Sequence, residues 1–284
     1  MSTVLPVFYT PRMVADSRSF SPSAAKPAKV VERLRALPID VIEPAAATVD
    51  ELCLAHERAF VEDVLACRTT NGFGNRSPEV AQTLPFTTGS MLAAARHVLE
   101  LGGIACAPCS GFHHAGYRLP AGFCTFNGLM VTACALHAAG AKRVAIVDCD
   151  MHYGDGTDEI IAHLSIDWIA HFTAGESFHR PNDAPRFFAE LPGRLRAMAD
   201  CDVVLYQAGA DPHVDDPLGG WLTTAELADR DRIVFDTFME LGVPVAWNLA
   251  GGYQVEADGS IPKVLEIHDN TAKAALASLR SRRL

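Results

Sequence analysis

Carboxylates and an imidazole stand in a row directly after an apolar segment in the middle of the chain. Asp148, Asp150 and His152 alternate with other residues, and side chains two positions apart in extended backbone point to the same side. Carboxylate and imidazole together form a binding set for a cation such as zinc. Asp211, which follows a separate apolar segment, is the natural third donor. Because three protein ligands leave one position for water, the pattern predicts a catalytic zinc site rather than a structural one.

Two adjacent histidines, His113 and His114, lie between another apolar segment and a glycine-rich stretch. An imidazole can take a proton from water and return it to a leaving amine, so the pair is a candidate general base and acid. Asp148 and Asp155 are available to orient the two rings, as carboxylates do for catalytic imidazoles. The alternative, in which a carboxylate only caps the helix that follows, is strongest for Asp155 taken alone.

A third candidate is the sequence Gly251-Gly252-Tyr253, which follows the last apolar segment. The two glycines allow the backbone to approach a bound molecule closely. The Tyr253 hydroxyl can donate a hydrogen bond to a carbonyl oxygen while water adds to the carbon. The alternative is a glycine-rich turn that carries a surface tyrosine.

These candidates follow apolar segments that have the composition of buried strands. The segments span residues 4–9, 39–44, 104–109, 143–148, 166–172, 202–208 and 243–250. Helical patterns lie between them at 87–102, 127–140, 185–199 and 223–242. This alternation predicts an α/β fold with a mainly parallel β-sheet and helices on both faces. In such a sheet ligands bind beyond the carboxyl ends of the strands, where the candidates lie.

No linker, repeat or low-complexity segment divides the chain, so we predict a single domain over residues 1–284. Residues 68–86 show no clear pattern and are predicted to form a loop. A loop of that length is either a lip over the site or ordinary solvated surface.

The composition excludes several classes of protein. With 24 Lys and Arg against 34 Asp and Glu, the net charge of −10 argues against nucleic-acid binding. The chain has no signal-peptide pattern and no apolar stretch long enough to span a membrane, so we expect a soluble cytoplasmic protein. The eight cysteines are too sparse for a disulfide scaffold and are predicted to be reduced. Cys106 and Cys109 have the spacing of a redox motif but lack a second such pair.

Four blocks carry a resemblance to a known family: SGFHHAGYRLPAGFCTFN, VAIVDCDMHYGDGTDEI, QAGADPHVDDPLGG and LAGGYQ. In this order and at this spacing they resemble the signature blocks of the histone deacetylase family within the arginase/deacetylase superfamily. The resemblance extends over most of the chain from about residue 38. It implies an arginase/deacetylase-like fold and a zinc-dependent amidohydrolase. The implied substrate is an acylated amine, such as acetyl-lysine, an acetylpolyamine or a small amide.

The resemblance assigns roles to individual residues. It implies one zinc ion per chain, held by Asp150, His152 and Asp211. His114 becomes the general base and acid and His113 its electrostatic partner, with Asp148 and Asp155 as their orienting carboxylates. Tyr253 becomes the oxyanion donor. The residues implied to contact substrate are Gly122 and Phe123 on the channel wall, Phe172 on the opposite wall, and Gly251 and Gly252.

The chain departs from the family pattern in three places. The early His-Pro-Glu element is replaced by residues 21–27, which puts the rear wall of the site in question. Tyr153 stands where the family usually has a second histidine. Ile169 lies near the position of a serine that helps family members bind potassium. That monovalent site is therefore altered or lost, or is held by backbone carbonyls alone.

Other functions remain open at this stage. The arginase branch would make the chain a dinuclear manganese ureohydrolase, but Gly154 and His213 stand where that branch has acidic residues to hold the second ion. A non-catalytic acyl-lysine binding module or a scaffold subunit would not need the tandem histidines or Tyr253. Asp215 and Asp216 are either an acidic mouth that attracts a cationic substrate or turn residues before Pro217. The sequence also leaves a homo-oligomer open.

Overall fold

The computed structural model describes residues 4–281, so the ends of the predicted domain, residues 1–3 and 282–284, lie outside the described part. A seven-stranded sheet with the order β2-β1-β3-β7-β6-β4-β5 forms its centre. The strands are β1 (Leu5–Phe8), β2 (Ile39–Ile42), β3 (Ile104–Ala107), β4 (Val144–Asp148), β5 (Ile169–Thr173), β6 (Val203–Gly209) and β7 (Val245–Ala250). Every pairing between these strands is parallel, which confirms the predicted α/β architecture.

Helices cover both faces of the sheet. They are α1 (Lys26–Leu34), α2 (Val49–Leu52), α3 (Arg58–Leu65), α4 (Pro78–Leu101), α5 (Gly128–Ala138), α6 (Asp155–His163), α7 (Ala184–Arg196), α8 (Thr224–Leu241) and α9 (Pro262–Ser281). Side chains alternate along each strand, so neighbouring residues enter different cores. Val144 and Ile146 pack with α3, α4 and α5, whereas Ala145 and Val147 pack with α1, α7, α8 and α9. No helix within residues 4–281 combines the length and hydrophobicity needed to cross a bilayer.

The segment predicted as a loop over residues 68–86 is helical in its second half. Helix α4 begins at Pro78, where the Ser77 hydroxyl accepts a hydrogen bond from the Val80 amide at 3.4 Å. Proline suits the first turn because an amide hydrogen there has no partner within the helix. Pro85 lies inside the same helix. The loop prediction is therefore wrong beyond residue 77.

A buried ion pair ties α8 to the strand ends that carry the candidate residues. Arg230 is fully buried, pairs with Asp231, and donates hydrogen bonds to the carbonyls of Cys149 at 3.0 Å and Gly209 at 2.7 Å. Asp231 also accepts a hydrogen bond from the Thr271 hydroxyl at 2.5 Å. The pair thus connects two helices to the ends of β4 and β6.

Replacing Asp231 with alanine is expected to lower the free energy of unfolding by about 3–5 kcal/mol, because it leaves the Arg230 guanidinium buried without its counter-ion. Urea unfolding followed by circular dichroism measures the change. Asp229→Ala is the matched control, since Asp229 pairs with Arg232 at 3.2 Å on the exposed face of the same helix. That exposed pair is expected to contribute less than about 1 kcal/mol. Equal losses in the two variants would contradict the structural role of the buried pair.

The cysteines are all unpaired. Cys106 and Cys109 are fully buried, and burial raises the pKa of both thiols. Since the thiolate is the reactive form, this pair is poorly suited to redox chemistry.

Candidate active site

Four neighbouring strands bring the candidate residues together. The sheet order places β3, β7, β6 and β4 side by side, and their parallel direction puts all four carboxyl ends at one edge. His113 follows β3, Tyr253 follows β7, Asp211 follows β6, and Asp150 follows β4. Residues far apart in the sequence therefore share one site.

Asp150, His152 and Asp211 form a compact cluster of donor atoms. One donor atom from each lies within 4.8 Å of the other two. His152 Nδ1 is 3.1 Å from Asp150 Oδ1 and 3.0 Å from Asp211 Oδ2. Both carboxylates are buried while the imidazole is partly exposed. Two buried carboxylates and one imidazole that converge on a point, with one side open, fit a divalent cation of the zinc type.

The electrostatics of the cluster fit the same conclusion. Burial raises the pKa of Asp211, and the neighbouring Asp150 carboxylate raises it further. Hydrogen bonds to Asp150 and Asp211 raise the pKa of His152 to about 10. Burial opposes ionisation of Asp150, but His113 and His152 hold the pKa of that carboxyl below its usual range. The two carboxylates therefore require positive charge between them, which a bound cation supplies.

Each of the tandem histidines is held by its own carboxylate. His113 Nδ1 donates to Asp148 Oδ2 at 2.7 Å, and His114 Nδ1 donates to Asp155 Oδ1 at 2.6 Å. The two rings are 4.1 Å apart, and the His114 ring is 5.8 Å from that of His152. Both carboxylates thus bind Nδ1, and His113 Nε2 lies 3.7 Å from Asp150 Oδ1 in the donor cluster.

The two imidazoles differ in their protonation. Burial lowers the pKa of His113, but Asp148 and Asp150 outweigh it and raise that pKa to about 9. Burial lowers the pKa of His114, and the positive charge of His113 lowers it further. At neutral pH the arrangement therefore favours a charged His113 beside a neutral His114. A neutral imidazole can accept a proton, and a charged one stabilises negative charge nearby.

Tyr253 is held at the site from two directions. Its amide donates to Asp216 Oδ2 at 2.7 Å, and the ammonium group of Lys26 donates to the carbonyl of Gly251, two residues earlier. The Tyr253 side chain is buried, and burial together with Asp211 raises the pKa of its hydroxyl. The hydroxyl therefore stays protonated and available as a donor.

The placement of Asp216 corrects one of the two interpretations of the acidic pair. Asp216 is buried and accepts hydrogen bonds from the amides of Tyr253 and of Leu218, the latter at 3.0 Å. It therefore orders the loops beside Tyr253 and does not belong to an acidic mouth. Asp215 is exposed.

Gly122 lies beside His114, and Phe123 lies beside Tyr253. Their role as a channel wall stays a prediction. A Cβ atom on Gly122 would lie 2.3 Å from the His114 ring, and Gly122 has a φ of +51° that favours glycine. The Phe123 ring is 5.6 Å from that of Tyr253. Gly251 also permits a close contact, because a Cβ atom there would lie 2.2 Å from the Asp211 carboxyl group. At the next glycine, Gly252, a Cβ atom would lie 2.9 Å from the Val264 side chain.

Phe172 does not face these residues, so its prediction as the opposite channel wall is wrong. It is paired with Val147 in the register of β4 and β5 and is buried in the core that contains α7. The guanidinium of Arg194 on α7 lies 5.9 Å from its ring. The next residue, His171, points to the other face and donates to Asp158 at 2.7 Å. Strand alternation thus directs Phe172 away from the site.

The first half of the segment at 68–86 packs against Phe123 and Thr125. The carbonyl of Gly72 accepts from the Phe123 amide at 3.0 Å, and the Gly72 amide donates to the Thr125 hydroxyl at 2.9 Å. The ring of Phe73 is 6.0 Å from that of Phe123. These contacts favour the lip interpretation over an ordinary solvated loop.

The structure also places two residues beside the candidate site that the sequence patterns did not indicate. Lys26 is fully buried, and burial lowers its pKa to about 8. Phe20 packs against Phe123 with ring centroids 5.1 Å apart. Phe20 lies between β1 and α1, and Lys26 is the first residue of α1. No periodicity in this part of the sequence marks a buried or a site-facing side chain.

The positions relevant to a second metal ion do not provide ligands. Within residues 4–281, Asp150, His152 and Asp211 form the one cluster of metal-binding side chains. Gly154 has no side chain to offer. His213 Nε2 lies 2.9 Å from the Thr224 hydroxyl, and His213 Nδ1 accepts from the Asp215 amide at 3.2 Å. The described residues therefore favour a mononuclear site.

This chain is similar in sequence and in structure to several known proteins. Residues 21–184 match the family model of the histone deacetylase domain. An uncharacterized protein from Picosynechococcus sp. (strain ATCC 27264 / PCC 7002 / PR-6) is 30% identical over 239 residues, which covers 76% of this chain and 79% of that protein. The acetoin utilization protein AcuC of Staphylococcus aureus (strain MSSA476) is 30% identical over 136 residues, covering 42% of this chain and 34% of AcuC.

A plant relative and a solved structure extend the similarity. Histone deacetylase 10, chloroplastic, from Oryza sativa subsp. japonica is 26% identical over 258 residues, covering 74% of this chain and 58% of the rice protein. A crystal structure of the HDA15 HD domain matches with a TM-score of 0.79 at 21% identity, over 98% of this chain and 90% of that one. The structural match shows the same α/β fold.

Proposed function

The chain belongs to the histone deacetylase family, and from that membership and the geometry of its site we propose a zinc-dependent amidohydrolase that removes an acetyl group from an amine. The observation that carries the proposal is the convergence of three units at one sheet edge. They are the donor cluster Asp150, His152 and Asp211, the two histidine–carboxylate pairs, and the buried hydroxyl of Tyr253. Residues 1–284 would form one catalytic domain.

One zinc ion per chain, held by the donor cluster, would supply a Lewis acid for the amide carbonyl and the attacking water. His114, whose pKa is lowered, accepts a proton from the water as the new C–O bond forms. His113 places positive charge beside the oxygen that gains negative charge, while Tyr253 donates its hydroxyl hydrogen bond to that oxygen. His114 then gives the proton to the nitrogen as the C–N bond breaks. The products are a carboxylate and a free amine.

The proposed substrate is an acylated amine on a slender chain, a small molecule or a lysine side chain, that passes Gly122 and Phe123 to reach the cluster. Gly251 and Gly252 shape the site indirectly, by allowing close packing against Asp211 and Val264. Nucleic acid is not a proposed partner. We place the reaction in the cytoplasm because the unpaired cysteines suit a reducing compartment.

A substrate panel tests the proposal directly. The zinc-loaded protein is offered acetylated lysine peptides, acetylated polyamines and small acetamides, and released acetate is measured. Acetate release from at least one class is the expected result. Release of urea from a guanidino compound with a manganese-loaded protein, and no acetate from any amide, would favour the ureohydrolase instead.

Tyr253→Phe separates an enzyme from an acyl-lysine binding module, because it removes the hydroxyl and keeps the ring and the donor cluster. An oxyanion donor contributes about 2.7–4 kcal/mol to the barrier, so kcat is expected to fall about 10²–10³-fold. Zinc content should stay the same. The control is Tyr117→Phe, since Tyr117 stacks on His163 at 3.9 Å outside the cluster. Full turnover in Tyr253→Phe with zinc retained would remove this hydroxyl from the mechanism.

A further inference from the structure

Large hydrophobic side chains are exposed mainly around the candidate active site. Eight such side chains are exposed among the described residues. Six of them lie in loops that follow strands at the carboxyl edge of the sheet: Phe20, Leu119, Tyr153, Val214, Leu218 and Val255. The candidate active site lies at this same edge of the sheet. We call these six residues the apolar rim.

Phe20 is the member of the apolar rim with direct contacts to the site. Its side chain is 65% exposed. Its ring meets the Phe123 ring edge-on at 5.1 Å and lies 6.2 Å from that of Tyr253. Phe20 therefore extends the aromatic wall outward, from the buried Tyr253 through Phe123 to solvent. A substrate group that extends outward past Phe123 would contact this ring.

The backbone around Phe20 is held in place by a network of serines. The Ser17 hydroxyl donates to the carbonyl of Ser21 at 3.2 Å, and the Ser21 hydroxyl donates to that of Ser23 at 3.0 Å. Asn75, in the lip segment, donates from its side chain to the carbonyl of Ser17 at 2.8 Å. The exposed ring is thus presented from an ordered loop, which lowers the entropic cost of binding to it.

The alternative cationic substrate has weaker support from the structure. An acidic mouth would need both Asp215 and Asp216, but Asp216 is buried and accepts two backbone hydrogen bonds. The exposed side chain next to Phe123 is the aromatic ring of Phe20 and not a carboxylate. Aromatic rings pack favourably with other aromatic and apolar groups.

We propose that Phe20 is a specificity-determining residue. The preferred substrates carry an aromatic or apolar group that a short aliphatic chain joins to the nitrogen from which the acyl group is removed. This inference rests on the proposed amidohydrolase function. It selects one substrate class from those that the channel admits: acylated amines with an apolar body, in preference to acylated polyamines.

The test compares two lysine derivatives that differ in one group. Both are Nε-acetyl-lysine methylamides; the Nα group is benzoyl in one and acetyl in the other, and N-acetylspermidine is the cationic comparison. With the zinc-loaded full chain, kcat/KM is expected to be about three- to tenfold higher for the benzoyl compound than for the acetyl compound. In Phe20→Ala the kcat/KM ratio of the benzoyl to the acetyl compound should fall close to one, because KM for the benzoyl compound rises while kcat stays nearly unchanged. Phe20→Trp should keep the wild-type ratio.

Leu101→Ala is the matched control, because Leu101 is 60% exposed at the opposite edge of the sheet, before β3. It should leave the ratio unchanged. An unchanged ratio in Phe20→Ala, or a higher kcat/KM for N-acetylspermidine than for the benzoyl compound, would overturn the inference. Calorimetric binding of the two lysine derivatives is measured in parallel. If no compound is hydrolysed, the proposed function fails, while tighter binding of the benzoyl compound that is lost in Phe20→Ala would still support Phe20 as its contact.

Discussion

Replacing any one of Asp150, His152 and Asp211 with alanine is expected to abolish both stoichiometric zinc binding and turnover. The three side chains supply all the protein donors of the proposed site, and a site with two remaining donors loses most of its affinity. Elemental analysis of the wild-type protein should give about one divalent metal per chain. Each variant should give close to none.

Two further measurements keep this prediction independent of activity and of folding. A ligand that binds only the folded protein raises the melting temperature, so adding zinc should raise Tm in the wild type and not in the variants. Asp211→Asn is included because it keeps the shape of the buried side chain. Asp258→Ala, which alters an exposed carboxylate in the loop after β7, is the control and should retain the metal. Two metals per chain at full activity would instead favour the dinuclear ureohydrolase.

The architecture and most of the metal cluster could be predicted from sequence because they depend on short-range patterns. Buried parallel strands are continuous apolar segments, and polar residues that directly follow them must lie at the carboxyl edge of the sheet. Asp150 and His152 follow β4 by two and four residues, and Asp211 follows β6 by two. These short distances leave little freedom in where their side chains lie.

Phe172 shows where this reasoning fails. It lies within β5 rather than after it, so its side chain points to one of the two faces of the sheet and not to the carboxyl edge. Its register partner Val147 packs in the core that contains α7, and the Phe172 side chain points to the same face. Both faces of this sheet are buried by helices, and an apolar residue fits either one. The sequence alone therefore does not distinguish the two directions.

The contacts of Asp216 and Lys26 with the 251–253 segment could not be predicted from the sequence for a different reason. Asp216 binds the amide of Tyr253 across 37 residues, and Lys26 binds the carbonyl of Gly251 across 225 residues. Backbone groups are the partners in both cases, and every residue carries them. No residue type in the 251–253 segment indicates that a distant side chain will bind its backbone. Only the folded arrangement of β7, the loop after β6 and the start of α1 reveals these contacts.

His114→Asn is expected to lower kcat by about 10²–10⁴-fold, the range that a general acid–base group contributes. Asparagine can occupy the space but cannot accept and return a proton. The pKa of His114 is lowered by burial and by the charge on His113, so the wild-type enzyme should keep its active, neutral base at pH values below those at which an exposed histidine would be protonated. Zinc content and substrate binding should change little, since the His114 ring lies beside the donor cluster and does not belong to it.

The matched control is His163→Asn. His163 stacks on Tyr117 with ring centroids 3.9 Å apart, and it lies at the far end of the helix that begins at Asp155. It should leave kcat unchanged. The measurement is steady-state acetate release over a range of pH, with zinc determined on the same samples. If kcat of His114→Asn stays within a few fold of the wild type, the proton must pass through His113 instead, and the division of roles between the two imidazoles would be reversed.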